Sequence, residues 1–240
     1  MSFGLYLHYP FCRHRCSYCN FYKEPYDRAL ERQYFLMLKN ETQLMAQRYG
    51  RNGNMISTIF IGGGTPSLID PELFTDWFNC LKDSFELSSD PEFSIECNPD
   101  SVSLELLTAF KELGVNRPVF GIQSFDAGLL KLLDRKHLRR DSYRAVYQTN
   151  VLGYHNFGVD LIFGLPGQTS GMLSSDIDEL LELNPPHISY YQLTVEAETK
   201  LAQLVTMGKL RMPSDELIAA MYRGGAAKLV EAGYIRYEIC

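Results

Sequence analysis

Short apolar runs alternate with amphipathic stretches along this chain. Six runs rich in β-branched and aromatic residues are typical of strands, at positions 4–8, 58–61, 93–96, 119–123, 158–162 and 188–193. The stretches between them have helical spacing. Asp70 and Pro71 form a helix start, and a second helix begins near Ser103 and stops at Gly114. Strands alternating with helices predict an α/β fold of parallel βα units, and six units predict a partial (β/α)6 barrel.

This architecture predicts where chemistry is located. In parallel β/α barrels the site forms at the carboxyl ends of the strands, from the loops that follow them. Gly62, Gly63 and Gly64 follow the second predicted strand, Glu96 ends the third and Gln123 ends the fourth. Asp160 belongs to the fifth. Each could serve structure alone, since a triple glycine makes a tight turn and a strand-end carboxylate caps a helix. Together they predict that these residues converge at one mouth of the barrel, where the site would lie.

A cysteine run in the loop after the first strand is the strongest chemical signal. Cys12, Cys16 and Cys19 have C-x3-C-x2-C spacing. Thiolates this close together can bind one soft metal centre, and iron–sulfur clusters use short, irregular cysteine runs. Three cysteines leave one iron of a four-iron cluster without a protein ligand, and an open metal position is typical of chemistry rather than scaffolding.

Two other interpretations of the cysteines stay open from the sequence. A structural zinc site would take His8 or His14 as its fourth ligand, although the usual second C-x2-C half is absent. A disulfide framework is disfavoured, because six cysteines in 240 residues are sparse. Cys80 and Cys97 fit small buried hydrophobes. The terminal Cys240 receives no assignment.

The cysteine run and its flanks, from Leu5 to Phe21, resemble the radical S-adenosylmethionine (SAM) superfamily. Later motifs narrow the resemblance to the anaerobic coproporphyrinogen III oxidase family, which contains the HemN oxidases and the HemW-like heme chaperones. These motifs occupy positions 62–67, 96–99, 114–117, 121–125, 160–169 and 191–194, in the family's order and over nearly the whole chain. The resemblance implies the same (β/α)6 architecture.

The resemblance also implies cofactors and their contacts. The three cysteines would hold a [4Fe–4S] cluster whose open iron takes SAM, and a reduced cluster would cleave SAM to a 5'-deoxyadenosyl radical. Glu96 would accept from the SAM amino group, Asp160 or Gln123 would bind ribose hydroxyls, and Gly63 and Gly64 would let the methionine part approach. The positions that match SAM contacts, spread over one or two SAM molecules, are Tyr6, Tyr18, Gly63, Gly64, Thr65, Glu96, Gln123, Arg135 and Asp160.

Two differences from the oxidase branch of the family indicate which branch this sequence resembles. The oxidase branch resembles C-x3-C-x2-C-x-C with an extra N-terminal segment, whereas here Asn20 and Phe21 follow Cys19 and the first strand begins almost at Met1. Both favour the HemW-like branch, which implies a chaperone that binds heme and delivers it to an acceptor protein. The alternatives are oxygen-independent coproporphyrinogen III oxidation and a module that binds cluster and SAM without turnover.

Length and composition limit the domain organisation and the partners that we expect. We expect a radical SAM core at 1–200 and, at 201–240, the helical start of a truncated C-terminal region. The sixth strand would then be an open edge.

A net charge of -6 argues against nucleic acid as the main partner. No apolar run is long enough to span a bilayer, and no signal peptide is seen. Clustered thiols favour the cytoplasm, with mitochondria as the alternative. Nothing identifies the electron donor.

Overall fold

The computed structural model describes residues 2–50 and 55–239, so Cys240 lies outside it. Strands and helices alternate through the described residues after a short cysteine-bearing insertion. In chain order they are β1 (Ser2–Tyr9), β2 (Phe11–Cys12), β3 (Glu24–Pro25), α1 (Arg28–Tyr49), β4 (Met55–Gly63), α2 (Pro71–Ser84), β5 (Glu86–Cys97), α3 (Leu104–Glu112), β6 (Arg117–Gln123), α4 (Ala127–Leu132), α5 (Arg139–Val151), β7 (Gly158–Phe163), α6 (Ser170–Leu183), β8 (His187–Gln192), α7 (Lys200–Thr206) and α8 (Asp215–Glu231).

Six strands form one parallel sheet in the order β1-β4-β5-β6-β7-β8. Every neighbouring pair is parallel, for example Tyr6 with Phe60 and Val159 with Ile188. β1 and β8 are the two edges, so the sheet curls into a half-barrel without closing. This confirms the predicted partial (β/α)6 fold, and all six predicted strands are present. β2 and β3 form a separate two-stranded ribbon, which the sequence pattern did not predict.

The apolar core lies between the sheet and its helices. Asp70 caps α2 by accepting the N–H of Glu72, and α2 then buries Phe74 and Trp77 beside Phe93 of β5. Each fully buried side chain of this size contributes roughly 1.5–3 kcal/mol relative to exposure. α3 is likewise capped by Ser103, as predicted.

The inner face of the sheet carries several polar side chains. Side chains alternate along a strand, so the residues between the buried apolar ones all face the inside of the half-barrel. These inner residues include His8 of β1, Glu96 of β5, Arg117 of β6 and Asp160 of β7, and each is only partly exposed. The half-barrel therefore presents polar groups suited to binding, beside apolar ones such as Val119 and Ile162.

The last helices pack against the barrel. α8 contacts α6 and β7, and its Met221 and Leu229 belong to the main core. Gly225 of α8 faces the ring of Tyr190, where a Cβ would come closer than any real contact allows. The helical character predicted after position 200 is thus present, while the domain boundary at 200 remains a prediction. β8 is a sheet edge, in line with the expected open sixth strand.

Two further expectations concern cysteines and membranes. The five described cysteines are free. Cys97 is buried as predicted, whereas Cys80 is only half-buried because its position on α2 is near the helix surface. None of the helices in residues 2–50 and 55–239 combines the length and apolar character that crossing a bilayer requires.

Candidate metal and cofactor site

The cysteine loop lies at the carboxyl end of β1 and is held from two sides. Cys12 is buried at the end of β2, where its carbonyl accepts the N–H of Tyr26 at 2.9 Å. Ser17 donates its backbone N–H to Leu133 at 3.1 Å and its hydroxyl to Leu132 at 2.9 Å. The loop therefore has a defined shape because both ribbon and barrel bind its backbone.

The glycine loop after β4 packs directly on the cysteine loop. The N–H of Gly64 donates to the carbonyl of Tyr9 at 2.6 Å, and the N–H of Thr65 donates to that of Phe11 at 2.9 Å. The Thr65 hydroxyl donates to the Cys12 sulfur at 3.4 Å. Burial raises the pKa of the Cys12 thiol, and this hydrogen bond opposes the rise. Metal binding by Cys12 therefore releases a proton that the free protein retains.

These contacts explain why the fold needs glycine at positions 63 and 64. A Cβ on Gly64 would lie 2.7 Å from the carbonyl oxygen of Phe11 and 2.8 Å from the carbonyl carbon of Pro10. Gly63 has φ of 110°, which favours glycine, and its Cβ would meet the ring of His8. The expectation that these glycines open space for methionine stays a prediction. The contacts of Gly63 with His8 and of Gly64 with Pro10 and Phe11 already require glycine at both positions.

A cavity of about 580 Å³ opens at the mouth of the half-barrel. Its size is that of a small-molecule site. The structure brings eleven of the twelve predicted site residues to this cavity: Cys12, Cys16, Tyr18, Cys19, Gly63, Gly64, Thr65, Glu96, Gln123, Arg135 and Asp160.

Tyr6 is the predicted residue that does not line the cavity. Its side chain is 59% exposed, stacks on Phe60 and donates or accepts a hydrogen bond with His8 Nδ1 at 3.0 Å. Tyr6 faces the same interior as His8 but lies two residues earlier on β1, so it is deeper in the half-barrel than the mouth. Asp160 is also not at a strand end, because β7 continues to Phe163.

Three polar atoms at the cavity are buried without a hydrogen-bond partner among the described residues. They are Gln123 Oε1, Arg135 Nε and Asp160 Oδ1. Buried polar atoms are nearly always paired, and leaving one unpaired costs about 1–3 kcal/mol. Their convergence on one cavity indicates a polar ligand that pairs with both donors and acceptors.

Arg135 connects this polar group to the cysteines. Its guanidinium donates to Asn98 Oδ1 at 2.9 Å, to the carbonyl of Gly121 and to the Cys16 sulfur at 3.7 Å. A thiolate at Cys16 would therefore be stabilised by a fixed positive charge. Arg135 belongs to the basic cluster at 135–140, and its half-buried position separates it from the exposed members.

Two carboxylates face the cavity with altered ionisation. Burial raises the pKa of Glu96 to about 7, which the hydrogen bond from the Gly63 N–H counteracts and the charge of Asp160 reinforces. Burial raises the pKa of Asp160 to about 6, while Ser189, Arg117 and Arg135 act to lower it. Both carboxylates would be stabilised in their charged form by a cationic group in the cavity.

The residues present fit an iron–sulfur cluster, because three thiols border one cavity and Arg135 lies beside one of them. Within the described ranges, no three His, Cys, Asp or Glu side chains are grouped tightly enough to hold one ion. A four-iron cluster binds each thiolate to a different iron, so its sulfurs stand farther apart. His8, a candidate zinc ligand, has both ring nitrogens hydrogen bonded, to Tyr6 and to the carbonyl of Tyr22. His14 lines the cavity.

Several cavity residues were not assigned a role from the sequence. Asn98, Tyr191 and Thr194 lie in motifs that the sequence analysis quoted, so their motifs were an available signal. Lys23 had no such signal. Its ammonium donates to the carbonyls of Cys19 at 2.6 Å and Phe21 at 3.0 Å, contacts that only the folded loop creates.

Comparison with known proteins decides the family. A family model described as the radical SAM superfamily matches residues 6–183, which is more than half of the chain. The chain belongs to the radical SAM superfamily. The superfamily resemblance predicted from the cysteine run is thereby confirmed. The match begins within β1 and ends with α6, so it includes the cysteine loop and the strands that carry Glu96, Gln123 and Asp160.

Relatives of this radical SAM chain include heme chaperones. The heme chaperone HemW of Bacillus subtilis (strain 168) is 37% identical over 98% of this chain and 62% of its own length. The Bos taurus protein called radical S-adenosyl methionine domain-containing protein 1, mitochondrial, is 38% identical over 98% of the chain and 53% of its own length. These similarities fit the predicted HemW-like branch.

A solved structure agrees in fold. The coproporphyrinogen III oxidase HemN of Escherichia coli, described as a radical SAM enzyme, superposes with a TM-score of 0.87 at 26% identity. The match covers 97% of this chain and 53% of that one. The chain thus spans 53–62% of the length of these relatives.

Proposed function

We propose that this chain binds a [4Fe–4S] cluster and SAM, and that it forms the radical SAM part of a heme chaperone that transfers heme to an acceptor protein. One observation carries the cofactor proposal. The three cysteines border a cavity in which Gln123, Arg135 and Asp160 each bury a polar atom without a partner. The similarity to HemW proteins supports the chaperone part.

Each residue in the cavity has a distinct proposed task. Cys12, Cys16 and Cys19 would hold the cluster, which when reduced supplies the electron that cleaves SAM. Glu96 would accept from the SAM amino group, since a carboxylate with a raised pKa gains from a nearby cation.

Other cavity residues would bind the remaining parts of SAM. Arg135 would use its free Nε toward the carboxylate, and Asp160 and Gln123 would accept from ribose hydroxyls. The side chains of Tyr18 and Thr65 would enclose SAM beside the glycines. Tyr6 is left out of this set, because its side chain does not line the cavity.

The oxidase is the second candidate, because the HemN structure superposes closely. A module that binds cluster and SAM without turnover is the third. Three assays separate them. Heme titration followed by absorbance and by transfer to an apo acceptor tests the chaperone, and coproporphyrinogen III turnover tests the oxidase. Binding of SAM without formation of 5'-deoxyadenosine under reducing conditions would favour the module.

The cofactor proposal is tested by anaerobic reconstitution with iron and sulfide, followed by electron paramagnetic resonance with and without SAM. We expect a reduced four-iron signal that shifts on adding SAM and is lost in Cys16→Ala. Cys80→Ala is the matched control, since this free cysteine lies on α2 outside the cavity. A folded wild-type protein that takes up no cluster would reject the proposal.

We further propose a cytoplasmic location, with mitochondria as the alternative, since one relative is named a mitochondrial protein. Cell fractionation with an antibody to the chain separates the two.

A further inference from the structure

Strand β6 ends in a tight three-residue turn. The backbone N–H of Ser124 donates to the carbonyl of Ile122 at 2.9 Å, and Gln123, at the centre of the turn, has φ of 70°. A turn of this kind is rare, and its left-handed φ is strained for a residue that carries a side chain. Such a conformation persists only where the surrounding structure holds it.

Two buried side chains hold this turn. Asp176 of α6 accepts the hydroxyl of Ser124 at 2.7 Å and the backbone N–H of Phe125 at 2.9 Å. His137, in the loop before α5, contacts the carbonyl of Ile122 through Nε2 at 3.0 Å, and Nε2 is the donor because a carbonyl can only accept. Their exposed fractions are 2% and 1%. The residues before and after the centre of the turn are thereby tied to other parts of the fold.

These two side chains are costly to bury. Burial raises the pKa of Asp176 to about 6, although the hydrogen bonds from Ser124 and Phe125 act to lower it. Burial and the charge of Arg135 lower the pKa of His137 to about 4, and Nδ1 of this histidine has no hydrogen-bond partner among the described residues. An apolar side chain would carry none of these costs. The contacts with the turn are therefore what Asp176 and His137 contribute here.

The turn determines where the amide of Gln123 lies. The side chain folds back over Gly121, where a Cβ would come within 2.7 Å of Gln123 Nε2. Gly121 pairs in register with Asp160 of β7, so the amide lies beside the acid of the cavity. Gln123 Oε1 and Asp160 Oδ1 are both buried without a partner among the described residues. Because φ sets the direction in which the side chain leaves the backbone, relaxation of the turn would move the amide away from this place.

We propose that His137 and Asp176 are positioning residues, which hold the strained turn and thereby fix the Gln123 amide where SAM binds. Neither side chain lines the cavity itself, so both act through Gln123. This inference rests on the proposed function, because it concerns the cavity assigned to SAM.

The position of the amide can be tested in the protein without a cluster. Side-chain amide signals of the isotope-labelled full chain are recorded by nuclear magnetic resonance, and the pair that disappears in Gln123→Glu is assigned to this residue. We expect one pair in wild type, because the turn holds the amide in one place. In Asp176→Ala and in His137→Leu this pair should move toward the values of exposed glutamines.

Conservative variants separate the hydrogen bonds from charge. In Asp176→Asn the carbonyl of the new side chain can accept from Phe125 and its amide can donate to the hydroxyl of Ser124. In His137→Gln the amide can donate to the carbonyl of Ile122 in place of Nε2. Both variants should therefore keep the wild-type pair of signals.

Tyr154→Phe controls for the loss of a buried hydrogen bond elsewhere. The Tyr154 hydroxyl donates to the carbonyl of Leu107 at 2.9 Å, outside the cavity, so this variant should keep the wild-type pair. An unmoved pair in both Asp176→Ala and His137→Leu would overturn the proposal, and so would an equal change in Tyr154→Phe. If one of the two variants does not fold, the other decides. If neither folds, Ser124→Ala decides, since it removes a single contact with the turn.

SAM affinity tests whether Asp176 acts through Gln123. In reconstituted protein, Asp176→Ala should weaken SAM binding about tenfold by equilibrium dialysis, since an amide that is no longer held loses its hydrogen bond. In the Gln123→Gly background the same substitution should change affinity by less than about twofold, because no amide remains and glycine is not strained at this φ. Equal weakening in both backgrounds would overturn the proposal.

Failure of the proposed function gives a different result. A folded wild-type chain that takes up no cluster, or that binds no SAM once reconstituted, would reject the proposed function. The amide signals of the cluster-free protein would still decide whether His137 and Asp176 hold Gln123 in place.

Discussion

The carboxylate of Glu96 accepts a hydrogen bond from the backbone N–H of Gly63 at 3.1 Å. This contact joins the end of β5 to Gly63, the last residue of β4, yet it does not offset burial, which raises the pKa of Glu96 to about 7. The folded protein therefore holds a proton that the unfolded chain releases near its ordinary value of 4.5. The resulting stability is fully present below 4.5 and is lost as pH rises through about 7.

Glu96→Gln should flatten this pH dependence. The amide cannot ionise, so the free protein should lose less stability than wild type between pH 4.5 and 7. Urea unfolding at a series of pH values measures the difference. Glu112→Gln, at an exposed position on α3, is the control and should follow wild type. Identical pH slopes for wild type and Glu96→Gln would contradict the assignment.

SAM affinity should have the opposite pH dependence. A cationic amino group beside Glu96 favours the carboxylate, so binding expels the proton and should strengthen as pH rises through about 7. Equilibrium dialysis with labelled SAM on the reconstituted protein checks this. In Glu96→Gln the affinity should be about tenfold lower at high pH, equivalent to ~1.4 kcal/mol, and should lose most of its pH dependence. Unaltered binding would remove Glu96 from the SAM contacts.

Gly64→Ala should destabilise the cysteine loop. The new methyl group would meet backbone atoms of Pro10 and Phe11, which cannot rotate away as a side chain could. We expect a loss of about 1–3 kcal/mol in the free energy of unfolding and reduced cluster uptake. Gly224→Ala is the control, because a Cβ there has no neighbour within 4 Å and alanine favours the helix by ~0.5–1 kcal/mol. Full cluster uptake by Gly64→Ala would show that the loop tolerates the shift.

Glu31→Gln should loosen the cysteine-bearing ribbon. Glu31 is fully buried on α1 and accepts from the hydroxyl of Tyr9 at 2.6 Å, the hydroxyl of Tyr26 at 3.1 Å and the N–H of Asp70 at 3.2 Å. An amide would turn one accepting oxygen into a donor, so only one of the two positions could still accept these hydrogen bonds. We expect a loss of about 1–3 kcal/mol by urea unfolding. Glu41→Gln, exposed on the same helix, should change stability by less than about 0.5 kcal/mol.

Much of the fold was predictable because its signals are local. Strand alternation and helix caps such as Asp70 and Ser103 act within a few residues, and the structure has these caps where the sequence predicted them. The short ribbon of β2 and β3 has no such signal. Its two strands are two residues each, so only the approach of residues 11 and 24 in space defines them.

The sequence predicted which residues form the site, but not their height in the half-barrel or their contacts with one another. Period-two alternation assigns Tyr6 and His8 to one face of β1, yet it cannot give their height in the half-barrel, and Tyr6 lies below the cavity. The contacts of Arg135 with Asn98 and Cys16 join three separate loops. Such contacts depend on how the strands stack, which neither spacing nor composition records.

Gln123 ends β6 with φ of 70°, where the pairing with β7 also shifts register. This left-handed conformation is strained for a glutamine and would be relaxed by glycine. Its amide oxygen is one of the buried atoms without a hydrogen-bond partner among the described residues. Glycine at position 123 would release this strain but would also delete the amide that faces the cavity, so relief of backbone strain and a polar cavity lining exclude each other at this residue.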